Sequence, residues 1–337
     1  MDTILVTGGC GFIGSNFIRY VLKNTNNYRI VNVDKLTYAG NLKNLAGLKG
    51  DPRYCFYKGD ICNYELLSFI IEKENVTSII NFAAESHVDR SILSPQEFIR
   101  TNVIGTDVLL EITRRFGLKK FIQISTDEVY GSLEQTGKFI ESTPLSPNSP
   151  YSASKASADL LVRAYNHTYN LPTIITRCSN NYGPYQFPEK LIPLMIINAI
   201  NEKPLPVYGD GMNIRDWIYV EDHCAAILAI YEEGKIGEVY NIGAENEMPN
   251  IEIVKLILKE LGKNESLITF VKDRPGHDRR YAIDATKIKT ELGWKPRYEF
   301  KEALKKTINW YIENQTWWQE IISGEYKKYY KKWYEER

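Results

Sequence analysis

The stretch Ile4-Leu5-Val6-Thr7-Gly8-Gly9-Cys10-Gly11-Phe12-Ile13-Gly14 puts an apolar run, a glycine cluster and the start of an amphipathic segment in immediate succession. The run reads as a buried strand, and Phe12–Lys23 has the spacing of a helix. Glycines are needed between them because the turn is tight, its backbone must approach a pyrophosphate closely, and the helix must pack against the strand. A helix N-terminus then offers free N–H groups and partial positive charge to the phosphates. Asp34 closes the next apolar run, twenty residues after Gly14, where a carboxylate can accept both hydroxyls of an adenosine ribose. Gly8, Gly11, Phe12, Ile13, Gly14 and Asp34 are therefore expected to hold a dinucleotide. The charge of Asp34 would repel a 2′-phosphate, which favours NAD over NADP; the neighbouring Lys35 is a contrary signal. Asp60-Ile61 suits the adenine edge, and Asp60 suits equally well the N-cap of a following helix.

Outward from this turn, short apolar runs alternate with longer periodic ones. Thr3–Thr7, Arg29–Val33, Tyr54–Tyr57, Ser78–Asn81, Lys120–Ile124 and Thr173–Thr176 read as strands; Phe12–Lys23, Tyr64–Glu74, Pro95–Phe116 and Tyr151–Tyr169 read as helices. This alternation predicts an α/β fold, a Rossmann-type doubly wound parallel sheet covered on both faces. After Arg177, prolines at 184, 188, 193, 204 and 206 break the chain into shorter pieces. A smaller, loop-rich α/β substrate-binding domain is expected there. Glu221–Glu233 again reads as a helix and Glu238–Ile242 as a strand, so the chain is expected to return to the first sheet. The domains are thus predicted to be discontinuous: 1–177 plus about 219–243 for the cofactor, and about 178–218 with 244–337 for the substrate.

Over 337 residues, Lys+Arg and Asp+Glu both total 42. With no net charge, no global field would hold the chain on nucleic acid or an acidic membrane, and an anionic ligand must be met by local cations. No run approaches the roughly 20 apolar residues of a membrane span, and the opening residues lack the basic and apolar regions of a secretory signal. A cytoplasmic protein is expected. The five cysteines and four histidines show neither CxxC nor metal-ligand spacing, so neither a disulfide framework nor a metal site is expected.

Tyr151-Ser-Ala-Ser-Lys155 sets a phenol and an ammonium at i and i+4 on one helix face. A free phenol, with its pKa near about 10, is a poor base at neutral pH; a nearby ammonium favours its phenolate. Ser125-Thr126 follows a strand directly, where ligands of open α/β sheets gather. Asp127 and Glu128 come next. Dehydration needs a base for a C–H proton and an acid for departing water, whereas an epimerase that only oxidises and re-reduces one carbon has no evident use for such a pair. The plainer reading makes both of them turn-capping residues.

Together, the TGGxGxxG turn and YxxxK resemble the extended short-chain dehydrogenase/reductase family, over almost the whole chain. Within it, further segments resemble the dTDP-glucose 4,6-dehydratases: Ala83-Ala84-Glu85-Ser86-His87-Val88-Asp89-Arg90-Ser91, Thr126-Asp127-Glu128-Val129-Tyr130-Gly131, Ser179-Asn180-Asn181-Tyr182-Gly183-Pro184, Phe187-Pro188-Glu189-Lys190-Leu191-Ile192-Pro193, Arg215-Asp216-Trp217 and Asp273-Arg274-Pro275-Gly276-His277-Asp278-Arg279-Arg280-Tyr281. No catalytic position departs from the family pattern. The resemblance implies NAD as cofactor, dTDP-glucose as substrate, and a homodimer formed through a four-helix bundle of the segments 95–116 and 151–169. It implies that Tyr151 takes the C4 hydroxyl proton with Thr126 bonded to that oxygen. Lys155 would hold the nicotinamide ribose, Glu128 would remove the C5 proton, and protonated Asp127 would help the C6 hydroxyl leave. Thr37, Ala83, Ala84, Thr101 and Asn180 are implied cofactor contacts beside Lys35, Asp60 and Ile61. Lys190, Arg215 and Arg274 are the cations expected at the diphosphate, with Asn181, Asn250 and His277 in support and Pro206 and Tyr208 flanking the base. Ser86, Glu189 and Leu191 complete the substrate side. His87 reads either as a sugar contact or as a satisfied core histidine. A 4-epimerase, a dehydratase of another nucleotide sugar, and a non-catalytic NAD(H)-sensing protein are the competing readings. The tail 326–334, alternating lysines with aromatics, is expected to form an amphipathic helix instead of a nucleic-acid surface.

Overall fold

The computed structural model describes residues 1–323; the tail expected to be helical lies outside them. The chain begins β1 (Asp2–Thr7), α1 (Phe12–Asn24), β2 (Tyr28–Asp34), β3 (Tyr54–Lys58), α2 (Tyr64–Glu74) and β4 (Ser78–Asn81). It continues through α3 (Val88–Leu93), α4 (Pro95–Phe98), α5 (Gly105–Arg115), β5 (Lys120–Thr126), α6 (Pro150–Tyr169) and β6 (Thr173–Cys178). Next come β7 (Asn180–Tyr182), α7 (Leu191–Ile200), β8 (Leu205–Tyr208), β9 (Ile214–Tyr219), α8 (Val220–Glu233) and β10 (Val239–Ile242). The described chain closes with β11 (Glu247–Pro249), α9 (Asn250–Glu260), β12 (Ile268–Val271), α10 (Thr286–Leu292), α11 (Phe300–Glu313) and α12 (Gln315–Ile321).

Seven strands pair in the order β10-β6-β5-β4-β1-β2-β3, every pairing parallel. Helices cover both faces, so residues on both sides of each central strand are apolar, as in Ile4, Leu5 and Val6 of β1, which are fully buried. One face packs Phe17, Ile18 and Val21 of α1 with Ile227 and Ile230 of α8. The other packs Leu67 and Ile70 of α2 with Leu109 and Ile112 of α5 and Val162 of α6. β1 pairs with both β2 and β4, and the chain leaves them toward opposite edges; the crevice past their C-terminal ends is where an open sheet of this kind takes its ligand.

The return of β10 to the sheet, with Tyr240 opposite Thr176, agrees with the sequence pattern. A second core, of Met195, Trp217, Val254, Ile308 and Trp318 among others, joins α7, α9, α11 and α12 to β8 and β9. It is flanked by a three-stranded sheet, β11-β9-β7, and a two-stranded one, β12-β8. Among the described residues no helix is long and apolar enough to cross a membrane.

One element differs from its expected form. The segment 95–116 is not a single α-helix: a π-helical turn, Ile99–Ile104, separates α4 from α5. Asn102 explains it. Its buried amide accepts from the Glu85 N–H at 2.9 Å and donates to the Glu85 carbonyl at 3.0 Å and Ser154 Oγ at 2.8 Å. Those bonds tie the turn to the loop after β4 and to α6, a tertiary demand that the wider π turn meets. By contrast, α6 begins as its sequence dictates, with Pro150 in its first turn and a capping box in which Ser149 and Ser152 bond each other's backbone.

Candidate active site

A cavity of about 290 Å³ opens past the C-terminal ends of the strands. Its lower end is the glycine turn. Gly8 has φ +67°, and a Cβ there would lie 2.6 Å from the Ala83 nitrogen; a Cβ on Gly14 would lie 2.5 Å from the Gly8 carbonyl. Larger residues would therefore push the turn apart. Gly11, the N-cap of α1, supplies no side-chain cap, and the first turn of the helix carries no acidic residue. Its N–H groups and positive end are thereby left to a ligand. Asp34 is buried and lines the cavity. Its carboxylate accepts from the Cys10 N–H at 2.9 Å and the Leu36 N–H at 2.7 Å. These features fit a dinucleotide: a pyrophosphate cradle that a side chain would fill, and beside it an oriented carboxylate.

Lys35 lies 3.0 Å from Asp60, so the contrary signal beside Asp34 is engaged by a carboxylate. Asp60 also accepts from the Cys62 N–H at 2.9 Å, while Asn63, and not Asp60, caps α2. Thr37, Ile61, Ala83, Ala84, Thr101 and Asn180 line the same cavity. Replacing Asp34 by Ala is expected to weaken NAD binding by about 10–100-fold, the loss of about 1.5–3 kcal/mol from bonds to a charged group, and to affect NADP much less. Calorimetric titration with the two dinucleotides checks this; an equal loss for both would count against the ribose role.

At the upper end Thr126, Asp127, Glu128, Tyr151 and Lys155 converge on the cavity. β5 delivers the first, the short 3₁₀ turn Asp127–Tyr130 the next two, and α6 the last pair. Thr126 Oγ1 accepts from the Glu128 N–H at 3.2 Å and donates to Asp127 Oδ1 at 3.3 Å, which fixes the two carboxylates relative to the hydroxyl. Asp127 is 1% exposed, and its Oδ2 has no hydrogen-bond partner among the described residues. Burial, with the charge of Glu128 adding, holds its carboxyl well above the ordinary range. Glu128 is also raised by burial, but Arg274, Lys190 and Arg215 oppose the shift. Burial thus favours the neutral form of both, and nearby cations oppose this more at Glu128 than at Asp127.

Tyr151 departs from the simplest expectation. Burial raises its phenol well above the usual range and Glu128 adds to that, while the Thr126 hydroxyl lowers it. Burial and the neighbouring Glu128 thus work against the phenolate that the Lys155 ammonium is expected to favour. Lys155 Nζ donates to the Ile124 carbonyl at 2.6 Å.

The basic residues divide. Lys190 lines the cavity with Ser86, Asn181 and Glu189 and donates to the Ser86 carbonyl at 3.0 Å. Arg215 and Arg274 lie beyond its lining. Arg215 is buried, donating to the Ile214 carbonyl at 2.7 Å and the Asp278 carbonyl at 2.8 Å, with its guanidinium 4.2 Å from the Tyr281 ring centre. Arg274 Nη1 lies 3.0 Å from Asp89 Oδ1, and Tyr208 donates to Asp89 Oδ2 at 2.9 Å. His277 faces the Tyr208 ring at 6.0 Å and pairs with Asp273 at 2.6 Å. Asn250 Oδ1 and Arg274 Nε are buried without hydrogen-bond partners among the described residues, polar capacity of the kind that a ligand satisfies. Pro206 lies in β8 and Leu191 opens α7, neither in the cavity lining. His87 is buried at the start of α3, its Nε2 3.4 Å from the Glu189 carbonyl.

Several residues at the site were not singled out from the sequence. Tyr38 and Phe187 line the cavity and meet edge to face at 5.4 Å, with the Arg90 guanidinium 3.7 Å over Tyr38 and its Nε 2.9 Å from Glu189. Asp89 is the buried anchor of Arg274 and Tyr208. Both Asp89 and Arg90 sit inside a quoted family-like segment, which is the only sequence signal they carry.

The family model described as GDP-mannose 4,6 dehydratase matches residues 5–307. A dTDP-glucose 4,6-dehydratase of Neisseria meningitidis serogroup B is 54% identical over 348 residues, covering 97% of this chain and 98% of the relative. The crystal structure of dTDP-glucose 4,6-dehydratase from Bacillus anthracis in complex with NAD is similar at a TM-score of 0.90 and 54% identity, covering 95% of this chain and 100% of that one. DesIV, a dTDP-glucose 4,6-dehydratase from Streptomyces venezuelae with NAD and TYD bound, is similar at 0.92 and 47%, covering 95% and 99%.

Proposed function

This chain belongs to the dTDP-glucose 4,6-dehydratases, NAD-dependent hydro-lyases of deoxysugar biosynthesis, and we propose that Thr126, Asp127, Glu128, Tyr151 and Lys155 divide the reaction among them. The reaction converts dTDP-glucose to dTDP-4-keto-6-deoxyglucose by oxidation at C4, loss of water across C5 and C6, and reduction of the resulting double bond by hydride at C6 and a proton at C5. When bound, NAD accepts the C4 hydrogen with its electron pair and later returns it to C6.

Tyr151, acting as the phenolate once its own proton has passed to solvent, accepts the C4 hydroxyl proton, with Thr126 bonding the same oxygen. Lys155 offsets the negative charge of the Tyr151 phenolate that takes up this proton. A ketone at C4 acidifies the C5 hydrogen, which Glu128 removes as a carboxylate supported by Arg274, Lys190 and Arg215. Asp127, kept neutral by burial, donates its proton to the departing C6 hydroxyl. The observation that carries this reading is the convergence of an acid/base carboxylate pair and the Thr–Tyr–Lys set on one cavity that ends in a glycine turn.

Asp127→Asn should slow dehydration of dTDP-glucose by about 10²–10⁴-fold, the usual contribution of a positioned proton donor. It should slow an analogue with a good C6 leaving group far less. Equal slowing of both would remove Asp127 as the acid. The overall reading is tested by incubating the protein with dTDP-glucose and following the sugar by mass spectrometry and NMR. Loss of one water with a 4-keto-6-deoxy product is expected. A C4 epimer of unchanged mass would overturn the dehydratase reading.

On the substrate side we assign the nucleotide diphosphate to Lys190, Arg274 and Arg215, and the base to Pro206 and Tyr208. The two-domain division at about 177, 219 and 243 is supported by the separate core around α7, α9, α11 and α12. We also propose a cytoplasmic homodimer. Leu93, Ile99, Ile104, Leu160 and Tyr169 are exposed on the α3–α6 side of the chain, an apolar set that a four-helix bundle with a second copy would cover.

A further inference from the structure

We infer that Asp159 and Arg177 are positioning residues for Lys155, forming with Tyr151 a buried column in which a fixed charge is held beneath the reacting phenol. The inference rests on the reading of Tyr151 and Lys155 as the pair that moves the C4 hydroxyl proton.

Tyr151, Lys155 and Asp159 stand at i, i+4 and i+8 of α6, which stacks them along one face of the helix. All three are buried, with exposures of 8%, 3% and 1%. The column ends on β6. Arg177 Nε donates to Asp159 Oδ2 at 2.9 Å, and Arg177 Nη1 donates to Tyr130 Oη at 2.9 Å. Tyr130 in turn donates to Asn241 Oδ1 at 2.8 Å on β10. The guanidinium therefore has little freedom to leave. Asp159 Oδ1 is buried and is not taken up by Arg177, which bonds Oδ2; the Ser125 hydroxyl at the end of β5 also favours the ionised Asp159 carboxyl.

The charges alternate: ammonium, carboxylate, guanidinium. A buried ammonium without a counter-charge tends to lose its proton, and a buried carboxylate without one tends to gain it. Burial lowers Lys155, and Asp159 opposes this. Burial raises Asp159, and Arg177 and Lys155 oppose that. Arg177, which stays protonated at any working pH, is the fixed member that favours the ionised form of Asp159. Asp159 in turn favours the charged form of Lys155. The groups facing the column are Glu128, Asp127 and Cys178 at Tyr151, Cys178 again at Lys155, and Tyr130 at Arg177. Every ionisable neighbour of Tyr151 from outside the column is a potential anion, so a lasting positive charge on Lys155 is what balances the phenolate from which Tyr151 acts as a base. A buried ion pair of this kind is weak evidence for stability, which gives it scope for another role.

The test measures the Lys155 ammonium directly. In the full-length protein labelled with ¹⁵N-lysine, the Lys155 signal is assigned by its absence in Lys155→Met and titrated with pH. In Asp159→Asn its midpoint should fall by at least about one unit, the lower end of the effect of an opposite charge within about 4–6 Å. The alkaline limb of the C4 oxidation rate should move down with it. Asp159→Glu, which retains the charge, should restore both. Should Asp159→Asn fail to fold, Arg177→Gln removes the cation that keeps Asp159 ionised and should lower the Lys155 midpoint in the same way. A lowered melting temperature with an unchanged Lys155 titration and pH limb would overturn the inference and leave the pair a structural bond. Full oxidation activity in Lys155→Met would instead overturn the underlying reading of the Tyr–Lys pair, a separate result.

Discussion

Tyr151→Phe is expected to lower the rate of C4 oxidation by about 10²–10⁴-fold, the range for losing a positioned proton acceptor, with substrate affinity changed only a few-fold. The substitution removes one oxygen and little else. The ring is buried against Val88 and Phe98, its centroid 6.2 Å from that of Phe98 in an edge-on contact, and a phenylalanine ring keeps that packing. What is lost is the group to which the C4 hydroxyl passes its proton. In its place the cavity would offer Thr126, Lys155 and the carboxyls of Asp127 and Glu128, the first without a base's pKa, the second a cation, and the last two assigned to C6 and C5. Stopped-flow absorbance of the reduced nicotinamide after mixing with dTDP-glucose measures this step directly. Oxidation at close to the normal rate in Tyr151→Phe would assign the proton to another group.

Glu128→Gln should separate the two halves of the reaction. C4 oxidation needs no group at C5, so reduced nicotinamide should form and accumulate, while release of the 4-keto-6-deoxy product falls by about 10²–10⁴-fold. In deuterated water the variant should put almost no deuterium at C5. Normal turnover, or normal exchange at C5, would remove Glu128 as the base. The pH dependence follows from the same pair. Glu128 must be ionised, and burial raises its pKa, so elimination should fade as pH drops through a value above the ordinary carboxylate range. Asp127 must be protonated and sits higher still, so elimination should fade again as pH rises through its pKa. Glu128→Gln should abolish the acid limb of whatever rate remains, and Asp127→Asn the alkaline limb that this carboxyl sets.

Elements carried by short-range pattern were legible from the chain. β1, the glycine turn and α1 lie next to one another in sequence, and their apolar spacing and glycines dictate a strand, a turn and a helix whatever surrounds them. Tyr151 and Lys155 share a helix face for the same reason. The carboxylates after β5 could be singled out because the C-terminal end of a parallel strand is a known place for ligands. The π turn at Ile99–Ile104 could not, because it answers to bonds from Asn102 to Glu85 and Ser154, partners 17 and 52 residues away. Asp89 lies 185 residues from Arg274 and 119 from Tyr208, and no periodicity spans such distances.

Sequence alone thus determined the sheet, the dinucleotide turn, the residues available for proton transfer and, by resemblance, the family. Only the tertiary structure decided what state those residues occupy. Burial and Glu128 raise the Tyr151 phenol despite the lysine four residues on. Asp127 and Glu128, adjacent and chemically alike, meet different charges, Glu128 itself raising the first and three cations opposing the rise of the second. Of the three cations expected at one diphosphate, only Lys190 lines the cavity, while Arg215 and Arg274 are held by Asp278 and Asp89. The physical reason is that helix and strand geometry follow from neighbouring residues, whereas the free energy of a charge depends on the water excluded from it and on the charges packed against it. Distant segments bring both.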